Sequence, residues 1–598
     1  AVRNAMQQRT SLFCGNTDRK KKLYGRQENA GSMQLFLHKR ILECKGGTGM
    51  KGKVIFLAAA MGTLWSATAF GAQFPDVPTD HWAYNEVVKA SEIGFISGMD
   101  DGTFGLGQTV TRGQFVSMMC RMFGWELVDA QSGSFADNQD VNQWYFKSVE
   151  TAAQHGALDD SAQNFRPNDN ITREEMAVML VKGLGYDNLV ETAAAAASPF
   201  IDVTSNKGYI NLAYDFGIVS GKGDGQFVPN GTATREEAAA MMLRCYNKMN
   251  SDTDFVHGFY AFSSYGQKDL AKEMDAVSFG WSKMEYRDNG SIVVNTLYEN
   301  NNEWAVPEGY EQIVEELQNS GVQTNLNVFL SDATAAQTIL NNAENRTAAV
   351  NAIMEEVTVT YKKLGRNPYE GVTIDFEGLR GSTLKQNFVA FLKELDTALT
   401  AEGKSLYVAV HPATKDGSYY DGYDYKAIGE IADKVIMMAY DYEAKNISAD
   451  VQQSGFTTTP VSPFDQVYYG LHAITDENTG VTDSSKVVLG MSPSSNVEWD
   501  LQNGVIVNSQ GIDNDYDTLQ TYLQSGAKSE YSEKYRNPYM TVQDGDTTKV
   551  IWYEDSRSIQ DKIDLAKMMG VNGVSFWRLG LIPDENTTAY SNIWSTVK

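Results

Sequence analysis

At 598 residues the chain is too long for one hydrophobic core, and its 42% hydrophobic and 11% aromatic content argue against disorder. A formal charge of -26 argues against nucleic acid as a partner, because phosphate binding needs a basic field. The six histidines and four cysteines show no metal-ligand spacing, so no metal site is expected.

The charge is uneven along the chain. Residues 1–49 hold ten Lys and Arg against three Asp and Glu, a net of +7, without periodicity or repeat. Lys45-Gly46-Gly47 stands a short step before Met50, and a purine-rich ribosome-binding sequence would encode those residues. Met50 is therefore expected to be the start, with 1–49 untranslated sequence read as protein; a disordered basic leader is the alternative. Met50-Lys51-Gly52-Lys53 then leads an apolar run from Val54 to Trp65, followed by small residues at Ala67-Thr68-Ala69 and Gly71-Ala72. This pattern predicts a signal peptide over 50–72 and a secreted chain with no transmembrane span after cleavage. Cys14 and Cys44 fall in the leader, while Cys120 and Cys245 occupy similar places in two repeats. Buried free thiols are the first reading of that pair, and a disulfide stays open.

The repeats begin at Phe74-Pro75-Asp76-Val77, which recurs as Phe135-Ala136-Asp137 and as Phe200-Ile201-Asp202-Val203. Trp82 matches Trp144, with Tyr209 near that place in the third copy. Each copy then predicts a second helix opened by Thr-Arg: Thr111-Arg112-Gly113-Gln114, Thr172-Arg173-Glu174-Glu175 and Thr234-Arg235-Glu236-Glu237. The arginines are 61 and 62 residues apart, and each Thr with Gln or Glu three places on reads as a capping box. Asp101-Gly102 and Gly223-Asp224-Gly225 read as the turns before the first and third of these helices.

These residues resemble the S-layer homology domain in three copies, at 73–134, 135–198 and 199–248, together a mainly helical unit. The resemblance implies non-covalent binding to a secondary polymer of a bacterial cell wall, often a pyruvylated one. It places Arg112, Arg173 and Arg235 against the anionic ligand, with Asp76, Asp137 and Asp202 shaping the grooves. A guanidinium fork suits carboxylate recognition. The alternative is that the arginines only tie the repeats together as ion pairs. The copies depart from the pattern unequally: the first has Gly113-Gln114 in place of an acidic residue, the second lacks the Gly-Asp-Gly turn, and the third lacks the Trp.

A short polar stretch from Asn247 to Asp254 follows and is not Pro-rich, so close coupling to the next domain is expected. From 255 to 598 apolar strand-like runs alternate with helical patterns. Strands are predicted near Val256–Ser263, Ala276–Gly280, Thr324–Leu330, Gly371–Glu377, Leu406–His411, Val435–Tyr440, Val487–Met491 and Gly573–Trp577. Eight strands with interleaved helices predict a (β/α)8 barrel, and the polar stretch from Ser492 to about Thr548 a decorated loop or small inserted lobe. The chain is thus a multidomain protein, a helical repeat unit followed by a barrel.

The run Glu370-Gly371-Val372-Thr373-Ile374-Asp375-Phe376-Glu377 carries the chemistry. Thr373, Asp375 and Glu377 alternate onto one face of a strand otherwise apolar enough to be buried. Two carboxylates there are costly unless they act. Strand ends of a barrel form its site, and Tyr440-Asp441 and Trp577 end two other strands. An acid, a second carboxylate, a hydroxyl and an indole suit a sugar ring.

This segment resembles glycoside hydrolase family 18, whose strand-four signature is Asp-Gly-x-Asp-x-Asp-x-Glu. Trp552-Tyr553-Glu554-Asp555 and Gly573–Trp577 look most like the branch acting on spore and cell-wall peptidoglycan. The resemblance implies substrate-assisted, retaining cleavage of a β-linked N-acetylglucosamine polymer, an exception to the two-carboxylate scheme that needs no metal or organic cofactor. Peptidoglycan is the first substrate and chitin the second. Glu377 would be the acid, kept protonated beside a second carboxylate. Asp375 would orient the acetamido N–H and Tyr440 bind its carbonyl. Trp577, Asp441 and Thr373 would complete the substrate site. Thr373 stands where chitinases place another Asp; its hydroxyl is expected to donate to Asp375 and leave it more easily ionised. Trp281 and Trp499 line outer subsites or fill the core, and His411 is read as structural. The alternative function is an inactive, wall-bound lectin-like or structural protein.

Overall fold

The computed structural model describes residues 74–159, 161–299, 304–415, 420–442, 447–455, 460–583 and 588–597. The leader, the signal peptide, Cys14 and Cys44 lie outside the described residues.

In the repeats, α1 (Arg112–Met122), α2 (Arg173–Gly183) and α3 (Arg235–Met249) each begin at the expected Thr. Thr111, Thr172 and Thr234 accept from the backbone N–H of Gln114, Glu175 and Glu237, and those side chains return the bond, so all three capping boxes form. The repeats close on one another in a circle. Arg112 Nε donates to the Phe165 carbonyl at 2.7 Å, Arg173 Nε to Phe227 at 2.9 Å, and Arg235 Nε back to Phe104 at 2.8 Å. Each guanidinium also lies over the ring of the same phenylalanine, 4.8–5.1 Å from its centroid. Bridges Thr109–Thr234, Thr111–Asn170 and Thr172–Thr232 repeat the same threefold pattern. Cys120 and Cys245 are free and buried within it, and burial pushes both thiols up to about 12.

The second part is a closed parallel barrel. Its strands are β1 (Phe255–Tyr260), β2 (Ala276–Tyr286), β3 (Gln323–Leu330), β4 (Gly371–Phe376), β5 (Ser405–Val410), β6 (Lys434–Met438), β7 (Val487–Met491) and β8 (Gly573–Phe576). Each pairs in parallel with the next, and β8 pairs with β1 to close the ring. Helices such as α4 (Ser382–Ala401) cover the outside with apolar faces, here Leu384, Phe388, Phe391, Leu392, Leu395 and Leu399. The polar stretch after β7 is a lobe of its own: a five-stranded antiparallel sheet with one helix, Tyr516–Gln524.

The repeats pack against the barrel through α5 (Phe464–Thr475). Tyr186 stacks on Phe464, and Arg536 from the lobe lies over both rings. Asp215 of the third repeat accepts from Tyr468 Oη at 2.5 Å and meets His472 Nδ1 at 3.1 Å. No helix among the described residues is long and apolar enough to cross a membrane.

Candidate active site

β4 places Thr373 and Asp375 inside the barrel, with Asn327 and Phe329 of β3 in register beside them. Asp375 is 2% exposed. Asn327 Nδ2 donates to its Oδ2 at 3.2 Å, and Oδ1 has no partner among the described residues. Burial pushes its carboxyl up to about 6, against the smaller downward pull of the Asn327 bond.

Glu377 follows at the mouth, half-buried, its backbone N–H bonded to the Leu330 carbonyl at 2.8 Å. Tyr440 follows β6. Its hydroxyl is pushed up first by burial, then by the negative charges of Asp375, Asp441 and Glu377. The four residues therefore share one electrostatic neighbourhood. Asp441 is exposed and holds a left-handed backbone at φ 58°, a conformation that Asp tolerates better than most residues. Tyr423, overlooked in the sequence, is buried beneath them and donates to the Phe376 carbonyl at 2.7 Å.

Thr373 differs from expectation. Its hydroxyl bonds Ser278 Oγ at 2.6 Å rather than Asp375. Ser278 in turn meets His257 Nε2 at 2.8 Å, and His257 Nδ1 meets Ser575 Oγ at 2.7 Å. Burial pushes His257 down to about 3, so this chain across the barrel floor is neutral. Burial nonetheless holds the Asp375 carboxyl above its ordinary value, with no charged neighbour at 373 adding to the shift.

Trp577 closes the other side. Its ring meets Phe259 edge-on at 5.2 Å and lies 6.0 Å from Trp304, which stacks on Phe329 at 4.3 Å. Trp281 and Trp499 are core residues: both are fully buried, Trp281 stacked on Phe279 and Trp499 inside the lobe. His411 stacks on Tyr420 at 4.0 Å, and burial pushes it down to about 4. Sequence reasoning missed Asn327 and Trp304. Asn327 lies in an apolar strand that reads as core, and its inward step is the one signal it gave.

In the repeats, Asp76 accepts backbone N–H bonds from Phe104, Gly105 and Leu106, Asp137 from Phe165 and Arg166, and Asp202 from Phe227 and Val228. The three carboxylates thus hold the loops that the three buried arginines dock onto. Arg173 and Arg235 spend a further Nη2 bond on the carbonyls of Ser220 and Ser97. Arg112 instead reaches Glu175 at 2.6 Å and lines a cleft of about 500 Å³ together with Arg166 and Lys182.

Comparison with known proteins adds to this geometry. The family profile described as "Glycosyl hydrolases family 18" matches residues 240–581, and that of the "S-layer homology domain" matches 73–116, 134–177 and 199–239. The chain is 31% identical over 211 residues to the S-layer protein sap of Bacillus anthracis, covering 35% of this chain and 26% of that protein. It is 25% identical over 292 residues to the cortical fragment-lytic enzyme of Bacillus subtilis (strain 168), covering 48% of this chain and 60% of that protein. Among solved structures, the spore cortex-lytic enzyme SleL of Bacillus megaterium QM B1551 aligns with a TM-score of 0.43 at 23% identity, covering 58% of this chain and 74% of that one.

Proposed function

From a chain that belongs to the glycosyl hydrolases of family 18 and carries three S-layer homology domains, we propose a cell-wall-anchored glycoside hydrolase that acts on N-acetylglucosamine-containing glycans, peptidoglycan first and chitin second. One observation carries the reading. A fully buried carboxylate with one open oxygen stands one inward step from a half-buried glutamate, and the charge of both reaches a buried tyrosine at the end of another strand.

In this reading Glu377 gives its proton to the glycosidic oxygen as the C1–O bond breaks. The substrate's own acetamido oxygen forms the new bond to C1, and the resulting positive charge lies beside Asp375. Asp375 accepts the acetamido N–H on Oδ1, and Tyr440 donates to the acetamido oxygen. Water then opens the oxazolinium ring and returns a proton to Glu377, so configuration is retained. Trp577 floors the sugar and Asp441 meets a hydroxyl. The repeats bind an anionic wall polymer, with Arg112, Arg166 and Lys182 in the open cleft and Arg173, Arg235, Asp76, Asp137 and Asp202 framing the grooves. This makes the protein one of the bacterial cell surface.

Reducing ends released from peptidoglycan, spore cortex and chitin oligomers test the enzyme. Wild type is expected to release them, and Glu377→Gln to lose roughly 10²–10⁴-fold in kcat, the usual scale of a general acid. A wild type that binds glycan without turnover would favour the lectin-like reading that Thr373 leaves open. Sedimentation of the full chain with native walls, against walls stripped of their secondary polymer, tests the anchor.

A further inference from the structure

The barrel mouth continues past Trp577 into a cleft of about 620 Å³, within the size range of a ligand pocket. Its walls come from the end of β1 and the segment after it, from Gly280 within β2, from Tyr298 and Trp304 beyond β2, and from the residues that follow β8. They carry Phe259, Phe262, Tyr298, Trp304, Trp577 and Arg578. Two of these rings stand largely in water: Tyr298 is 61% exposed and Phe262 63%. Exposed aromatics gathered around one cavity mark a contact surface rather than core.

Trp304 is built into place. It lies flat on Phe329, the register neighbour of Asp375, and over Gly280, where an added Cβ would stand 3.2 Å from the indole. A side chain at 280 would push the platform away. Trp304 thus carries a flat apolar surface from beside Asp375 toward Tyr298.

Arg578 is the one charged residue among the described residues that line the cleft. Its Nη1 donates to Ser263 Oγ at 2.8 Å and to the Leu579 carbonyl at 3.3 Å, which fixes the group. Nε and Nη2 have no partner among the described residues. A fixed guanidinium with donors to spare, in a chain of net charge -26, is a fork set for a carboxylate.

We propose that this cleft is a second sugar subsite that takes an amino sugar bearing a carboxylate. The pyranose ring stacks on Trp304 and Tyr298, and its acidic substituent meets Arg578. The proposal rests on the glycosidase reading and deepens it. A carboxyalkyl sugar next to the cleaved residue separates peptidoglycan from chitin, whose sugars are all neutral.

The probes are peptidoglycan glycan strands freed of peptide, which carry such carboxylates, and chitotetraose, which carries none. Wild type is expected to show a kcat/KM at least tenfold higher on the strands. Arg578→Gln should cut the strand-to-chitotetraose ratio at least fivefold, chiefly through KM, and Arg578→Lys should restore part of it. Tyr298→Ala should raise KM for both probes at least threefold. Equal losses on the two probes in Arg578→Gln, or none, would overturn the proposal while leaving the glycosidase standing. If wild type turns over neither probe, the glycosidase reading falls. Calorimetric binding of both probes to the Glu377→Gln chain then still decides the subsite, a preference below twofold for the strands counting against it.

Discussion

Asp375 holds its proton far more tightly in the folded chain than a free aspartate does, at about 6 against 3.8. A carboxyl with a raised value costs nothing while both states are protonated. It destabilises the fold progressively as pH rises from 3.8 through about 6. The shift corresponds to roughly 3 kcal/mol at neutral pH. Asp375→Asn is therefore expected to raise Tm at pH 8, with the gain shrinking toward pH 4. Calorimetry across that range checks it; an unchanged or lower Tm at pH 8 would show that the buried charge is not a burden. The alternating row on β4 made Asp375 and Glu377 legible from sequence, because period two on an apolar strand leaves little choice of face. The bonding of Thr373 was not legible. Its partner Ser278 lies on β2, 95 residues away, and only closure of the barrel brings the two together.

The inserted lobe is held to the barrel by buried charge. Glu554, at the end of the lobe's last long strand, pairs with Lys562 of α6 (Ser556–Met568) at 2.9 Å, with side chains 3% and 1% exposed. Ser462, Ser558 and Asn537 all donate to the same carboxylate. Lys562→Met strands that carboxylate without its cation and is expected to cost about 3–5 kcal/mol. Glu554→Gln with Lys562→Met should recover a good part. Urea unfolding midpoints measure both, and a single variant as stable as wild type would refute the lock. All eight barrel strands were readable because strands buried on both faces are continuous apolar runs. The lobe's strands are half-exposed and polar, so they read only as an insertion. Trp499 stayed open between subsite and core for a related reason: its small core is invisible until the five strands close around it.

At the scale of the molecule the anchor and the barrel are joined by more than their linker. The bond to Asp215 raises His472 above its ordinary value, against the opposing effect of burial. A raised histidine stabilises fully below about pH 6.5, and that contribution is lost as pH climbs through its folded value. Wild type is expected to exceed His472→Gln in Tm by ~1–2 °C at pH 5.5 and to match it at pH 9. A difference that is constant with pH would mean packing rather than charge. The short polar linker foretold this closeness, but its surface was hidden in residues such as Tyr186, Asp215 and Arg536 that read as ordinary loop and helix positions.

The circle of arginines has a further consequence. A solenoid has two free ends, and units can be added or dropped there one at a time. Here the third helix hands its arginine back to the first loop, so no end exists. Removing one repeat severs two of the three junctions at once, and a fourth has no arc left to occupy. Copy number in this anchor is thereby quantised: three is a closure condition, and gene-level duplication or loss of a single unit meets a barrier that an open array would not present.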